Sequence, residues 1–450
     1  MKKSDPFFSA VCSLAIPVAL QSMLQSSFSM VDQIMIGQLG EVSVAGVALA
    51  GKFASVYSVV ISAVGAVAGI MISQYLGQKS NGGVRRSFYT NLLLGMGVAG
   101  IFAALCTLFP HPIMGAYTAD AETRQAAADY LRRISGTFVP LAGASLLSTA
   151  FRCVEKPRLP LYASILSALL NTGLNYVLIF GKWGFPAMGV AGAAMATVVS
   201  QCANFLLMLL AAPANLTVLR RDGSGKPAPA GMNWRQYWAM LLPLLVCEVA
   251  WSLGENVYAA IYGHMGTDAS AAMALTGPIQ GLVIGALCGL SQAAGVIVGK
   301  RLGSGAYDDA YKASKKLLVY GAAGSAILSA IVLLTAKYYV QIYQVDGAVK
   351  TLTRQILLAY ALVAPLKVLN MILGGGILRS GGRTKYVMGI DLFGTWCLGV
   401  PLGLLSAFVL KLPIPWVYFI LSLEEGVRFA VSLAVFRSRS WMHRLEAEQL

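Results

Sequence analysis

The chain has 450 residues, of which 57% are hydrophobic and only 12% are charged, with a mean hydropathy of +0.68 and a formal net charge of +15. Soluble domains carry about 25% charged residues, so this composition excludes a soluble multidomain protein. The apolar runs are unbroken over about 20 residues, which suits helices and not the alternating strands of a barrel. The composition therefore predicts an all-α polytopic membrane protein.

Twelve apolar segments are long enough to cross a bilayer, and we expect no cleaved signal peptide before the first. They lie near residues 12–38, 44–75, 88–110, 128–151, 159–181, 188–213, 237–263, 269–299, 314–337, 353–377, 386–410 and 413–436. With the N-terminus inside, the inside loops hold 23 Lys and Arg residues and the outside loops hold 8. This imbalance predicts a multi-pass protein of the inner (cytoplasmic) membrane with both termini cytoplasmic. The basic charge then faces lipid headgroups, so no nucleic-acid partner is expected.

The first segment carries a polar stripe in which Gln21, Gln25, Ser29 and Asp32 follow one another at separations of three or four residues. Such residues share one helix face. A charge within a span costs roughly 2.5–3.5 kcal/mol, so this face should point into the protein or a water-filled cavity. Asp32 can take up a proton or give an oxygen to a sodium ion, which predicts ion coupling, while a static core aspartate is the alternative. We assign Gln25 on the same face to substrate binding.

The fifth segment carries Asn171 and Asn175 one turn apart, and the sixth carries Thr197. Two side-chain carbonyls at this spacing can serve one cation, including sodium, or can hold a carboxylate by hydrogen bonds. The alternatives are hydrogen bonding between helices for the asparagines and bonding to its own helix for the threonine. We predict that all three residues belong to the ion-coupling site.

The seventh segment carries an acidic and aromatic stripe at separations of three or four residues, formed by Glu248, Trp251, Glu255, Tyr258 and Tyr262. Carboxylates attract organic cations, and aromatic faces add cation–π contacts of roughly 0.5–2 kcal/mol. Glu248, Trp251, Glu255 and Tyr258 are therefore predicted to bind substrate. The alternative is a set of interfacial tyrosines beside a buried acid pair.

The last two segments carry three further acidic residues, for which we consider ion pairing within the protein. Asp391 follows the basic loop 379–385, so either an ion pair or a function fits it. Glu424 and Glu425 stand mid-segment beside Arg428, which predicts internal pairing.

The sequence lacks the patterns of metal, nucleotide and catalytic sites. The seven cysteines form no C-x-x-C pair and read as small buried hydrophobes. The three histidines show no metal spacing and form no catalytic set with carboxylates, so we expect no metal and no enzyme. Because no phosphate-loop motif is present, uphill transport would draw on an ion gradient and need no cofactor.

The two halves of the chain are repeats, because a series of residues recurs at one constant offset. The pairs are Pro17 and Pro243, Gly37 and Gly263, Gly40 and Gly266, Ala45 and Ala271, Gly69 and Gly295, Gly77 and Gly303, and Gly95 and Gly321. Shared glycines and prolines indicate a shared backbone geometry. We predict a first six-helix lobe at 1–219, a cytoplasmic linker at 220–236 and a second lobe at 237–450. Six spans per copy give both halves the same orientation, related by an axis along the membrane normal.

Residues 152–201 contain Arg-x-x-x-Lys-Pro, Asn-x-x-x-Asn-Tyr and Gly-Val-x-Gly-Ala-Ala-x-Ala-Thr. With VDQIMIGQLG at 31–40 and LRSGGRTK at 378–385, these motifs resemble those of MATE transporters (multidrug and toxic compound extrusion), of the MOP flippase superfamily. The resemblance implies a V-shaped pair of six-helix lobes that open alternately to each side. It implies export of organic, often cationic, compounds in exchange for H⁺ or Na⁺, and we expect a monomer.

The resemblance also implies that Asp32 is central to ion coupling and that Asn171 and Asn175 help to form the cation site. NorM-type members carry an aspartate where this chain has Arg383, so a second-lobe sodium site of that kind is not expected. The main alternative is a flippase for lipid-linked oligosaccharides. Such a flippase needs a cationic cavity for pyrophosphate, whereas the charges within the spans here are mostly acidic.

Overall fold

A computed structural model of the protein describes residues 6–219, 233–343 and 345–445. Most of the predicted linker, residues 220–232, lies outside the described residues, as do Lys2 and Lys3 of the basic N-terminus. All regular secondary structure in the described ranges is helical. Eleven of these helices are long and apolar enough to cross a membrane. The prediction of an all-α polytopic fold is therefore confirmed.

The helices follow the predicted spans in order. In the first half they are α1 Pro6–Gly37, α2 Glu41–Gly77, α3 Asn81–Leu108, α4 Ala121–Cys153, α5 Arg158–Phe180 and α6 Val190–Asn215. In the second half they are α7 Trp234–His264, α8 Thr267–Gly303, α9 Tyr307–Ile342, α10 Gly347–Leu378 and α11 Thr384–Val409. The twelfth, α12, has two pieces, Ile414–Ser422 and Glu424–Arg437. A short helix, Pro110–Gly115, precedes α4.

The structure corrects the sequence-based boundaries in two ways. The helices α3, α4 and α9 begin about seven residues earlier than predicted, because their first turns are polar and lie outside an apolar window. The predicted segment 413–436 is interrupted at Leu423, which leaves pieces of 9 and 14 residues. This break places Glu424 and Glu425 in the first turn of a helix, where the helix dipole favours acidic side chains.

The repeat is visible in matching packing contacts. A Cβ on Gly95 would lie 2.8 Å from Leu146 Cδ1, and a Cβ on Gly321 would overlap Ile372 Cδ1, which is the same pair displaced by the repeat offset. At both positions the end of a neighbouring side chain packs directly on the glycine and would have to shift to admit a Cβ.

A second matching contact joins the ends of α2 and α8. A methyl group at Gly77 would overlap the Lys300 carbonyl, and one at Gly303 would overlap the Gln74 carbonyl. Residues 300 and 303 are the repeat equivalents of 74 and 77. The two repeat-related helix ends therefore cross backbone to backbone, which only glycine permits.

The described chain forms two compact units. Among the described residues, one unit contains 20–72 and 80–219, and the other contains 6–19, 73–79, 233–343 and 345–445. Tyr57, Phe138 and Leu131 lie in the core of the first unit, and Tyr360, Leu357 and Val417 lie in a core of the second. The predicted lobe limits at 219 and 237 remain a prediction.

The helices α10 and α11 contain π-helical turns at Met371–Leu378, Phe393–Gly399 and Leu405–Val409. The run of three glycines at 374–376 lies in the first of these turns, and a Cβ on Gly376 would lie 2.5 Å from the Ser291 carbonyl. Gly376 therefore serves close helix packing, whereas a Cβ on Gly374 would meet nothing within 4 Å. Such widened turns shift side chains around the helix axis and are frequent at functional sites.

Candidate functional site

Four of the predicted ion-coupling side chains meet in the first unit and form the Asp32 cluster (Asp32, Asn171, Asn175 and Thr197). Asn175 Nδ2 donates to Asp32 Oδ1 and also to Asn171 Oδ1, the latter at 3.2 Å. Asn171 Nδ2 in turn donates to Thr197 Oγ1 at 3.3 Å, and Thr197 donates to the Ala193 carbonyl at 3.0 Å. One chain of hydrogen bonds thus links α1, α5 and α6.

The Asp32 cluster is rich in oxygen atoms that can accept a proton or a hard cation. Asn175 is only 1% exposed, and its Oδ1 atom has no hydrogen-bond donor among the described residues. A buried acceptor without a donor is costly unless something else satisfies it. With Asp32 and Asn171, this atom offers the oxygen ligands that hard cations prefer. The cluster therefore fits either a proton on Asp32 or a sodium ion.

Two other residues of the α1 stripe differ in their surroundings, since Gln21 contacts α5 and Gln25 is exposed. Gln21 Nε2 donates to Ser164 Oγ on α5 at 2.8 Å, which extends the polar link between the two helices. Gln25, predicted to bind substrate, is exposed one turn further along α1. Its assignment stays a prediction.

The second unit contains a cavity of about 400 Å³. Trp251, Glu255 and Tyr258 of α7 line it, together with Tyr262 from the same stripe. Trp251 is 52% exposed, whereas Tyr258 is 6% exposed, so the stripe runs from an open side to a buried side of the cavity. A cavity of this volume accommodates a drug-sized molecule.

Glu248, the fourth predicted substrate-binding residue on α7, does not line this cavity. It accepts from Arg379 Nη1 at 3.1 Å, at the end of α10. Residues 248 and 255 share a helix face, but seven residues place them about 10 Å apart along the axis. Helical periodicity correctly placed both residues on one face of α7, but it could not specify which of them lies at the level of the cavity. Arg379 belongs to the predicted basic loop at 379–385, but in the structure it is a half-buried ion-pair partner of Glu248.

The other walls of the cavity carry charges that sequence reasoning did not assign to a site. Lys367 of α10 and Glu424, Glu425 and Arg428 of α12 all line it. Arg428 pairs closely with Asp391 and lies 3.6 Å from Glu425 Oε1. Three carboxylates and two basic groups thus face one space. The sequence does mark Lys367 as a candidate site residue, because a lysine within an apolar membrane segment is costly unless it has a function or a partner.

The carboxylates of α12 have defined partners. Tyr258 Oη donates to Glu424 Oε2 at 3.0 Å, and Asn370 Nδ2 donates to Glu425 Oε2 at 2.7 Å. The expected internal pairing of Glu425 with Arg428 is present, whereas Asp391 pairs with Arg428 and not with the basic loop at 379–385.

Two glycines of α11 make room for this network. A methyl group at Gly394 would overlap the Arg428 side chain, and one at Gly399 would overlap the Tyr258 hydroxyl and the Glu424 carboxylate. Both glycines lie in one π-helical turn, which brings them to the same side of the helix. The widened turn therefore positions the polar wall of the cavity.

We expect Gly399→Ala to break the hydrogen bond between Tyr258 and Glu424 and to destabilise the protein by about 1–3 kcal/mol, since both groups are buried. The shift of the thermal unfolding midpoint in detergent measures this loss. Gly389→Ala on the same helix is the control, because a Cβ there meets nothing within 4 Å. Equal midpoints for the two variants would refute the positioning role of Gly399.

The described residues contain no group of three or more His, Cys, Asp and Glu side chains arranged to hold a metal ion. All seven cysteines are free.

Comparison with known proteins places this architecture in a family. The MatE family model matches residues 17–177 and 243–405, so its two matches begin at Pro17 and Pro243, the first pair of the repeat. YisQ of Bacillus subtilis, an uncharacterized transporter, is 21% identical over 449 residues, which cover 98% of this chain and 97% of YisQ. A probable multidrug resistance protein NorM of Thermotoga maritima is 23% identical over 437 residues, covering 96% and 92% of the two chains.

Solved structures show the same fold. A mutant of the Vibrio cholerae MATE transporter VcmN matches with a TM-score of 0.87 at 14% identity, over 97% of this chain and 98% of VcmN. This agreement confirms twelve membrane helices in two six-helix lobes. Because the family model matches well over half of the sequence and falls in both repeats, the chain belongs to the MATE family.

Proposed function

We propose that this protein is a secondary antiporter that exports organic cations from the cell in exchange for H⁺ or Na⁺. The observation that carries the proposal is the cavity in the second unit, where Glu255 stands among Trp251, Tyr258 and Tyr262. A carboxylate beside aromatic faces binds organic cations through charge and cation–π attraction. Relatives named as multidrug resistance proteins support export of drug-like molecules.

The coupling ion binds at the Asp32 cluster in the first unit. Its carboxylate, two amides and hydroxyl lie in one hydrogen-bond chain across α1, α5 and α6. A proton or sodium ion there changes the charge of Asp32 and hence the balance between access states. The two halves share a backbone framework but differ in function, with ion coupling in the first half and substrate binding in the second. At the repeat offset, Asp32 of the first half corresponds to Tyr258 of the second.

The protein works as a monomer in the inner membrane with both termini in the cytoplasm. The excess of basic residues in the inside loops supports this topology. Its partners are membrane lipid and a small organic substrate. A flippase for lipid-linked oligosaccharides is disfavoured, because three carboxylates against two basic groups do not form the cationic cavity that pyrophosphate needs.

We expect Glu255→Gln and Trp251→Ala to weaken export of cationic dyes by about tenfold and to change export of neutral compounds much less, because each loses an attraction specific to cations. Dye efflux from cells that express each variant at equal levels measures the effect. Glu122→Gln, an exposed acid outside the cavity, is the control. An equal loss of export for cationic and neutral compounds would show that the α7 stripe contributes only to helix packing.

The proposed function is tested in proteoliposomes that contain the purified protein. A proton gradient and a sodium gradient are imposed separately, a cationic dye is added, and dye movement and ion flux are recorded together. We expect one gradient to drive dye transport and the dye to evoke a counterflow of the same ion. Dye movement under neither gradient would refute antiport.

A further inference from the structure

Two opposite charges in the cavity stand apart from the ion-pair network. Among the described residues, neither Glu255 nor Lys367 forms an ion pair with an N–O distance of 4.0 Å or less. By contrast, the cavity's other cation, Arg428, is paired with two carboxylates. Both Glu255 and Lys367 line the cavity, and Glu255 is exposed to it. Within the described chain, the cavity thus presents one anion and one cation that lack direct counter-charges.

The position of Lys367 is defined by its neighbours. Its Nζ atom lies 5.6 Å from the centroid of the Tyr418 ring, and Tyr418 Oη donates to Gln280 Oε1 at 3.4 Å. Tyr360 Oη donates to the backbone carbonyl of Gln280 at 3.4 Å. An ammonium group near an aromatic ring inside a membrane protein gains from an anionic partner, since a desolvated charge is costly.

Glu255 and Lys367 act on each other and on any molecule between them. Both residues line the same cavity, together with Glu425, so their charges act within one space. A simple cation bound at Glu255 would be repelled by Lys367 in the same cavity. A molecule with a cationic and an anionic group would satisfy both residues, because each of its charges would meet an opposite charge.

We propose that Lys367 determines specificity and that the cavity selects zwitterionic organic molecules over simple cations. The cationic group of the substrate binds Glu255, its anionic group binds Lys367, and its apolar body lies on Trp251 and Tyr258. This inference rests on the proposed export function and narrows its substrate class from organic cations to amphoteric compounds.

The test uses two probes that differ by a single ester group: a rhodamine methyl ester, which is a monocation, and its free acid, which is a zwitterion. Their dissociation constants are measured by fluorescence anisotropy with the purified protein in nanodiscs. We expect the wild-type protein to bind the zwitterion more tightly. Lys367→Gln should weaken zwitterion binding by about tenfold or more, because a charge-assisted hydrogen bond is lost. The same change should leave monocation binding within about twofold or strengthen it.

Two controls separate a binding role of Lys367 from a structural one. Lys367→Arg keeps the positive charge and should retain the preference for the zwitterion. Glu255→Gln should weaken binding of both probes, since both carry the cationic group. Equal effects of Lys367→Gln on the two probes would overturn the proposal.

The relative affinity of the wild-type protein for the two probes tests the proposal even if a variant does not fold. Equal affinity for the two probes, or tighter binding of the ester, would overturn selection of zwitterions and leave cation export standing. Binding of neither probe, together with absence of gradient-driven dye transport, would instead contradict the proposed function itself.

Discussion

The Asp32→Asn variant is expected to insert and fold normally but to lose ion-coupled efflux. Asparagine keeps the size of the side chain and can still hydrogen-bond to Asn175, so the links between α1, α5 and α6 persist. It cannot bind a proton or carry a negative charge, so neither H⁺ nor Na⁺ can change its state. Gradient-driven dye transport in proteoliposomes should fall to the background level, while thermal unfolding stays close to that of the wild type.

Asp120→Asn is the matched control for this experiment. Asp120 is an exposed carboxylate of the same unit, and its side chain caps α4 by accepting from the Thr123 N–H at 2.9 Å. Asparagine is an equally good cap, so this variant should transport like the wild type. Full ion-coupled efflux by Asp32→Asn would show that the coupling ion binds elsewhere.

Arg428→Met is expected to cause the largest loss of stability in the second unit. Arg428 pairs with Asp391 and lies 3.6 Å from Glu425, and the side chains of Arg428, Asp391 and Glu425 are 14%, 18% and 11% exposed. Removing the cation leaves two carboxylates in a poorly hydrated site, which costs about 3–5 kcal/mol when a buried pair is broken. The thermal unfolding midpoint in detergent and the yield of membrane-inserted protein both measure this loss.

The control for this prediction is an ion pair of the same unit that faces solvent. Arg439 Nη1 lies 2.9 Å from Asp308 Oδ1, with side chains 51% and 76% exposed. Asp308→Asn should therefore cost at most about 1 kcal/mol, because exposed pairs gain little from charge attraction. If both variants lose stability to the same small extent, the Arg428 network is dispensable for folding.

Helical periodicity explains why the Asp32 cluster could be anticipated residue by residue. Asn171 and Asn175 are one turn apart, and a polar face within an apolar helix has to turn inward. The structure brings these side chains together with Asp32 and Thr197, and the distances add which atoms donate and which accept. Their role in coupling remains a prediction.

The cavity of the second unit could be anticipated only on its α7 side. Trp251, Glu255 and Tyr258 follow from the spacing on one helix, whereas Lys367 and Arg428 come from α10 and α12, far away in sequence. Glu248 belongs to the same face of α7 yet pairs with Arg379 instead. Spacing along one helix contains no information about which helix lies opposite.

The sequence alone determined the membrane class, the two repeated halves and the faces of the helices, because these depend on local composition and on the period of the α-helix. The tertiary structure alone decided which charges are paired and which remain open to a ligand. Ion pairing depends on distances of a few ångströms between separate helices, and those distances are set by packing, such as the room that Gly394 and Gly399 leave for Arg428 and Glu424. For that reason the sequence predicted an acidic substrate site, and only the packed helices showed that Lys367 lines the same cavity as Glu255.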